Sequence, residues 1–113
     1  MQAAALHVAA LHRTPGSLLS LPDVVPFSDQ NATISMGRLE SNQVSLNDKK
    51  VSKVHARLTL RTCKRKGAGN GEIMRRIFVK DSSTFGTFVN GEAIPKEQWV
   101  MLQLGDVIGL RNP

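Results

Sequence analysis

Ala56-Arg57-Leu58-Thr59-Leu60-Arg61 alternates apolar and polar side chains without a break. In an extended chain successive side chains point to opposite faces, so Ala56, Leu58 and Leu60 share one face and Arg57, Thr59 and Arg61 the other. The segment reads as a strand with one face on a core and one in water. On either side the apolar runs are equally short and rich in β-branched residues, at 17–21, 33–36, 43–46, 75–80, 87–89, 92–94, 99–103 and 107–110. Turn residues separate them at the spacing of a β-sandwich or barrel, and helical periodicity is absent. Asn90-Gly91 suits a type I′ hairpin turn. The basic, glycine-rich stretch 62–71 reads as a hairpin connection. Its Gly67-x-Gly69-x-Gly71 lacks the Gly-Lys-Ser/Thr ending and the following helix of a phosphate-binding P-loop. Trp99, the one tryptophan, is read as core filling.

The chain has 113 residues, enough for one core, and is expected to form a single domain over 1–113. Its 41% hydrophobic and 21% charged residues place it among ordinary globular sequences. A single cysteine, Cys63, excludes an intrachain disulfide and favours a reducing compartment. No apolar run approaches the roughly 18 residues that suggest a spanning helix, so a membrane anchor is not expected. The opening residues 1–16 carry no acid, as in a transit peptide, but 6–11 can equally be a first strand before a turn at Thr14-Pro15-Gly16. A formal charge of +6 points to an anionic partner without choosing among nucleic acid, lipid and phosphorylated peptide.

Three short motifs narrow that choice. Gly37-Arg38, Ser52-Lys53-Val54-His55 and Asp81-Ser82-Ser83-Thr84-Phe85-Gly86-Thr87-Phe88-Val89-Asn90-Gly91 occur in this order. A phosphate dianion on a shallow surface needs positive charge and directed donors together. Arg38 offers a guanidinium that forks onto phosphate oxygens, and Ser52 a short hydroxyl that fits beside it. With Leu104-Gly105-Asp106-Val107-Ile108-Gly109-Leu110, these motifs make residues 33–110 resemble the forkhead-associated (FHA) family.

The resemblance implies an all-β fold, a twisted two-sheet sandwich of SMAD-like type, whose loops at one end bind phosphothreonine peptides. It implies phosphate contacts from Arg38, Ser52 and Thr84, and peptide contacts from Lys53 and Phe85. Gly37, His55, Gly86, Thr87 and Asn90 become structural supports, with the His55 ring nitrogens bonded to backbone. Asp81 is expected to bond within its own loop, since a carboxylate facing the phosphate would repel it. No catalysis and no cofactor are implied: Ser52, His55 and Asp81 contain the ingredients of a triad, but no Gly-x-Ser-x-Gly turn accompanies them. Expected partners are phosphothreonine proteins with acidic flanks, not small molecules, membranes or nucleic acid.

Phe85 departs from the asparagine many FHA domains carry at this place. An aromatic here, with Ile77-Phe78-Val79-Lys80-Asp81, is similar to the nibrin branch, which would imply a DNA-repair adaptor in the nucleus, with the cytoplasm as the alternative. The family's last strand has no counterpart before Pro113, which would leave a sheet edge unpaired. Two other readings stand beside this one. The first is a nucleic-acid-binding β module using Lys49, Lys50, Lys53, Lys64, Arg65 and Lys66, against which no segment interleaves aromatic with basic residues. The second is an FHA-like structural domain with a vestigial pocket.

Overall fold

The computed structural model describes residues 10–12, 24–27, 32–64 and 73–110. Ten strands form over them: β1 (Ala10–His12), β2 (Val24–Pro26), β3 (Thr33–Gly37), β4 (Val44–Ser45), β5 (Ala56–Lys64), β6 (Ile73–Asp81), β7 (Phe88–Val89), β8 (Glu92–Ala93), β9 (Trp99–Leu102) and β10 (Ile108–Gly109). The proposed strand at 17–21, the tip of the 62–71 connection and residues 111–113 lie outside the described residues. One sheet has the order β4-β3-β5-β6-β9 and a second the order β10-β7-β8, while β1 and β2 pair with each other.

The alternating stretch behaves as its pattern demands. Ala56 and Leu58 are buried, and Ile34, Met36 and Val79 from the neighbouring strands join them in the core. Val89, Ile94 and Ile108 pack against this cluster from the second sheet and its hairpin, so the two sheets enclose one core as a β-sandwich. Asn90 and Gly91 have φ of 52° and 82°, as a type I′ turn requires, and join β7 to β8 in two residues.

Trp99 departs from its expected place. It lies on β9 at the sheet edge, where Val100 and Leu102 pack against the core while Trp99 and Met101 face outward. The alternation along β9 puts the indole on the wet face, 37% exposed.

Register explains where the loops collect. Met36 is paired with Ala56 and Ala56 with Asp81, so β3 ends, β5 begins and β6 ends side by side. The β3–β4 loop, the β4–β5 loop and the β6–β7 loop therefore emerge at one end of the sandwich. They carry the three motifs.

Candidate functional site

Gly37 closes β3 where the chain must press against the β4–β5 loop. A Cβ at this position would overlap the Lys53 carbonyl and sit 2.9 Å from the His55 nitrogen. The glycine is thus needed for close approach of two backbones. That approach is held by Arg38 N–H donating to the Ser52 carbonyl at 2.9 Å and Leu39 N–H donating to the Lys53 carbonyl at 3.2 Å. Arg38 and Ser52 are therefore placed by each other's main chain. Among the described residues the Arg38 guanidinium has no ion-pair partner.

His55 links two of the loops. It is fully buried; Ser52 N–H donates to Nδ1 at 3.0 Å, and Nε2 lies 2.7 Å from the Gly86 carbonyl. An accepting Nδ1 requires the proton on Nε2, so the network selects the neutral Nε2–H tautomer, which donates to Gly86. Both ring nitrogens are occupied by backbone, which leaves none to act as a general base on Ser52. The triad reading fails on geometry.

The β6–β7 loop is organised around Asp81. This carboxylate is fully buried, and its Oδ1 accepts from Ser83 N–H at 2.9 Å, Ser83 Oγ at 2.5 Å and Thr87 Oγ1 at 2.8 Å. Burial pushes its pKa up, but these hydrogen bonds and the positive charge of Lys96 outweigh it and hold the carboxyl below its ordinary value. Oδ2 has no hydrogen-bond partner and faces the Lys96 ammonium at 3.6 Å. As expected, Asp81 serves its own loop. Ser83 Oγ in turn accepts from Gly86 N–H at 2.7 Å, closing a short turn that presents Thr84 and Phe85 outward.

Thr84 meets Ser52 across the end of the sandwich, its N–H donating to Ser52 Oγ at 3.0 Å. With an accepted bond fixing Oγ, the Ser52 hydroxyl hydrogen remains available to donate outward. The structure thus brings Arg38, Ser52 and Thr84 together from three loops. Lys53 is exposed, its carbonyl committed to the β3–β4 loop, and Phe85 is 59% exposed at the rim. Lys49 and Lys50 are exposed in the adjoining loop. Asn90 lies elsewhere: it bonds Asp106 and Val107, and so supports the β7–β8 hairpin rather than the three loops.

Two contributors escaped the sequence reading. Asn42 is buried and its Nδ2 donates to the carbonyls of Leu39 and Lys53 at 2.8 and 2.9 Å, pinning the β3–β4 loop. Lys96 Nζ donates to the Ser83 carbonyl at 2.8 Å and reaches that of Thr84 at 3.3 Å. An asparagine in a turn and a lone lysine carry no signal in one dimension. Their partners are supplied by the fold.

Comparison with solved structures returns FHA domains. The MEK1 FHA domain superposes with a TM-score of 0.72 at 20% identity, covering 98% of this chain and 84% of that one. The MEK1 FHA domain in complex with a HOP1 phosphothreonine peptide gives 0.62 at 24% identity, covering 77% and 79%. The yeast Dun1 FHA domain, solved with a doubly phosphorylated peptide, gives 0.57 at 28% identity, covering 90% and 64%. Comparison with curated protein sequences gave no match. The family model described as FHA domain matches residues 34–111, well over half of the chain. With the sandwich, the clustered loops and this match agreeing, the chain belongs to the forkhead-associated domain family.

Proposed function

We propose that this chain is a non-catalytic module that binds phosphothreonine peptides, with Arg38, Ser52 and Thr84 as the phosphate contacts. The observation that carries the reading is that three loops meet at Ser52, whose carbonyl accepts from Arg38 N–H and whose Oγ accepts from Thr84 N–H, while the Asp81 carboxylate of the third loop is buried. The site is preorganised, since backbone and buried side chains hold every loop before ligand arrives. That structural neighbours were solved with phosphothreonine peptides supports the same reading.

Lys53 and Phe85 flank the site and are assigned to the peptide on either side of the phosphothreonine, with Lys49 and Lys50 favouring acidic flanks. Phe85 cannot make the backbone hydrogen bond an asparagine would, so it contributes apolar contact instead. The aromatic at this place, shared in character with the nibrin branch, supports a setting in nuclear phosphorylation-dependent signalling such as the DNA-damage response. Focus formation by a fluorescent fusion, lost on Arg38→Ala, tests that setting.

The direct test is calorimetric titration with a phosphothreonine peptide bearing acidic flanks. Micromolar affinity, about −8 kcal/mol, is expected. Arg38→Ala should abolish it. Equal affinity for the unphosphorylated peptide would refute the reading and favour a vestigial pocket.

A further inference from the structure

Lys96 stands in the connection between β8 and β9, outside the three motifs, yet its ammonium reaches the loop that presents Thr84. The main chain carries it there. Lys96 forms a parallel bridge with Asp81, and Glu97 N–H donates to the Asp81 carbonyl at 2.8 Å. From that anchor Nζ donates to the Ser83 carbonyl at 2.8 Å, lies 3.3 Å from the Thr84 carbonyl and faces Asp81 Oδ2 at 3.6 Å. A surface lysine ordinarily gains little from an ion pair, because water screens it and its long side chain loses freedom. Here the lysine side chain is 55% exposed, but its acid partner is fully buried and Oδ2 accepts no hydrogen bond, so the ammonium is the charge that answers it.

Both charges lie close behind the phosphate contacts. Asp81 Oδ1 accepts at 2.9 Å from Ser83 N–H, one residue before Thr84. Backbone dimensions keep that oxygen within about 7 Å of the Thr84 amide, and the contact with the Thr84 carbonyl keeps Lys96 Nζ within a similar reach. These separations are inside the Debye length of about 8 Å at physiological salt, so a dianion held by Arg38, Ser52 and Thr84 feels both groups. Resting on the phosphothreonine reading, we propose that Lys96 is a positioning residue of this site: its ammonium cancels the buried Asp81 carboxylate behind the phosphate while holding the carbonyls of the Thr84 turn. Without it the loop would set an uncompensated negative charge against its own ligand.

The full chain is titrated calorimetrically with a phosphothreonine peptide and its unphosphorylated counterpart, as wild type and as variants whose folding is verified by circular dichroism and urea unfolding. Wild-type binding with no preference for phosphate overturns the site assignment and this inference with it. A preference that Lys96→Met leaves at full strength overturns this inference alone. Lys96→Met keeps the stem and removes the charge and its donors, and should weaken phosphopeptide binding about tenfold. Lys96→Arg keeps the charge and should stay within about twofold of wild type. A charge effect has two signatures that a mere brace lacks. The ratio of wild-type to Lys96→Met affinity should shrink toward about twofold as salt rises from about 0.1 M to about 1 M, where the Debye length falls to about 3 Å. Adding Asp81→Asn to Lys96→Met should restore most of the lost affinity, because the uncompensated carboxylate is gone; were Lys96 only a brace, removing a second support would weaken binding further. A loss undiminished at high salt, an arginine variant as weak as the methionine variant, or a double variant weaker than Lys96→Met would overturn the assignment.

Discussion

Asp81→Asn is the perturbation that most directly tests how the site is held. The substitution is nearly isosteric, so it leaves no cavity, and its retained oxygen still faces Ser83 N–H, Ser83 Oγ and Thr87 Oγ1. What changes is charge. Hydrogen bonds to a charged acceptor contribute about 1.5–3 kcal/mol each against roughly 0.5–1.5 for neutral ones, so three of them lose about 3 kcal/mol together. Oδ2, which has no hydrogen-bond partner, becomes an amide facing the Lys96 ammonium, a further loss. Relief from burying a carboxylate offsets part of this, leaving an expected destabilisation of roughly 2–3 kcal/mol at pH 7, a sizeable share of a small domain's 5–15 kcal/mol. The pH dependence has a definite sign. The folded carboxyl is held below its ordinary value, so its contribution is complete above the unfolded pKa of about 3.9 and is lost as pH falls through the folded value. Urea unfolding of both proteins from pH 7 downward should therefore show the gap narrowing below about pH 4. A gap under about 0.5 kcal/mol at pH 7, or one that stays constant into the acid range, would refute this account of the loop.

Gly37→Ala should lower both stability and peptide affinity, because the new methyl forces the Lys53 carbonyl away from Leu39 and carries Ser52 with it; thermal melting and peptide titration read the two effects. His55→Phe keeps an aromatic ring but strands Ser52 N–H and the Gly86 carbonyl, with an expected cost of roughly 2–4 kcal/mol in urea unfolding. Thr84→Val should leave the melting temperature within a degree or two while weakening phosphothreonine binding about tenfold, since the side chain is exposed. Gly91→Ala, at φ of 82°, should cost about 1 kcal/mol without altering peptide affinity, the β7–β8 turn being tied to Asp106 and Val107 through Asn90.

How much of this was legible in one dimension differs from element to element. β5 was read over 56–61 because its alternation is local and Ala56, Leu58 and Leu60 are all apolar, whereas 62–64, read as the start of a hairpin connection, continue the strand and pair with 73–75 of β6. The Asn90-Gly91 turn was equally plain, because few residue pairs accept two consecutive positive φ values. The residues of the candidate site were found through motif order, but order does not say which atoms meet. Ser52 and Thr84 are separated by 32 residues, and their contact follows from the pairing of β5 with β6.

The alternating stretch at 56–61 and the turn residues around it determined by themselves that this chain builds short, half-buried strands of an all-β fold, because strand period and turn chemistry depend on neighbours a few bonds away. The tertiary structure alone decided that β4 runs parallel beside β3, that Trp99 faces water, that Asn42 and Lys96 brace the loops, and that cations and rings from three strands share one face. Each of these depends on which strand lies alongside which and in what register. Long-range packing of the apolar faces selects that arrangement, and no local run of residues encodes it.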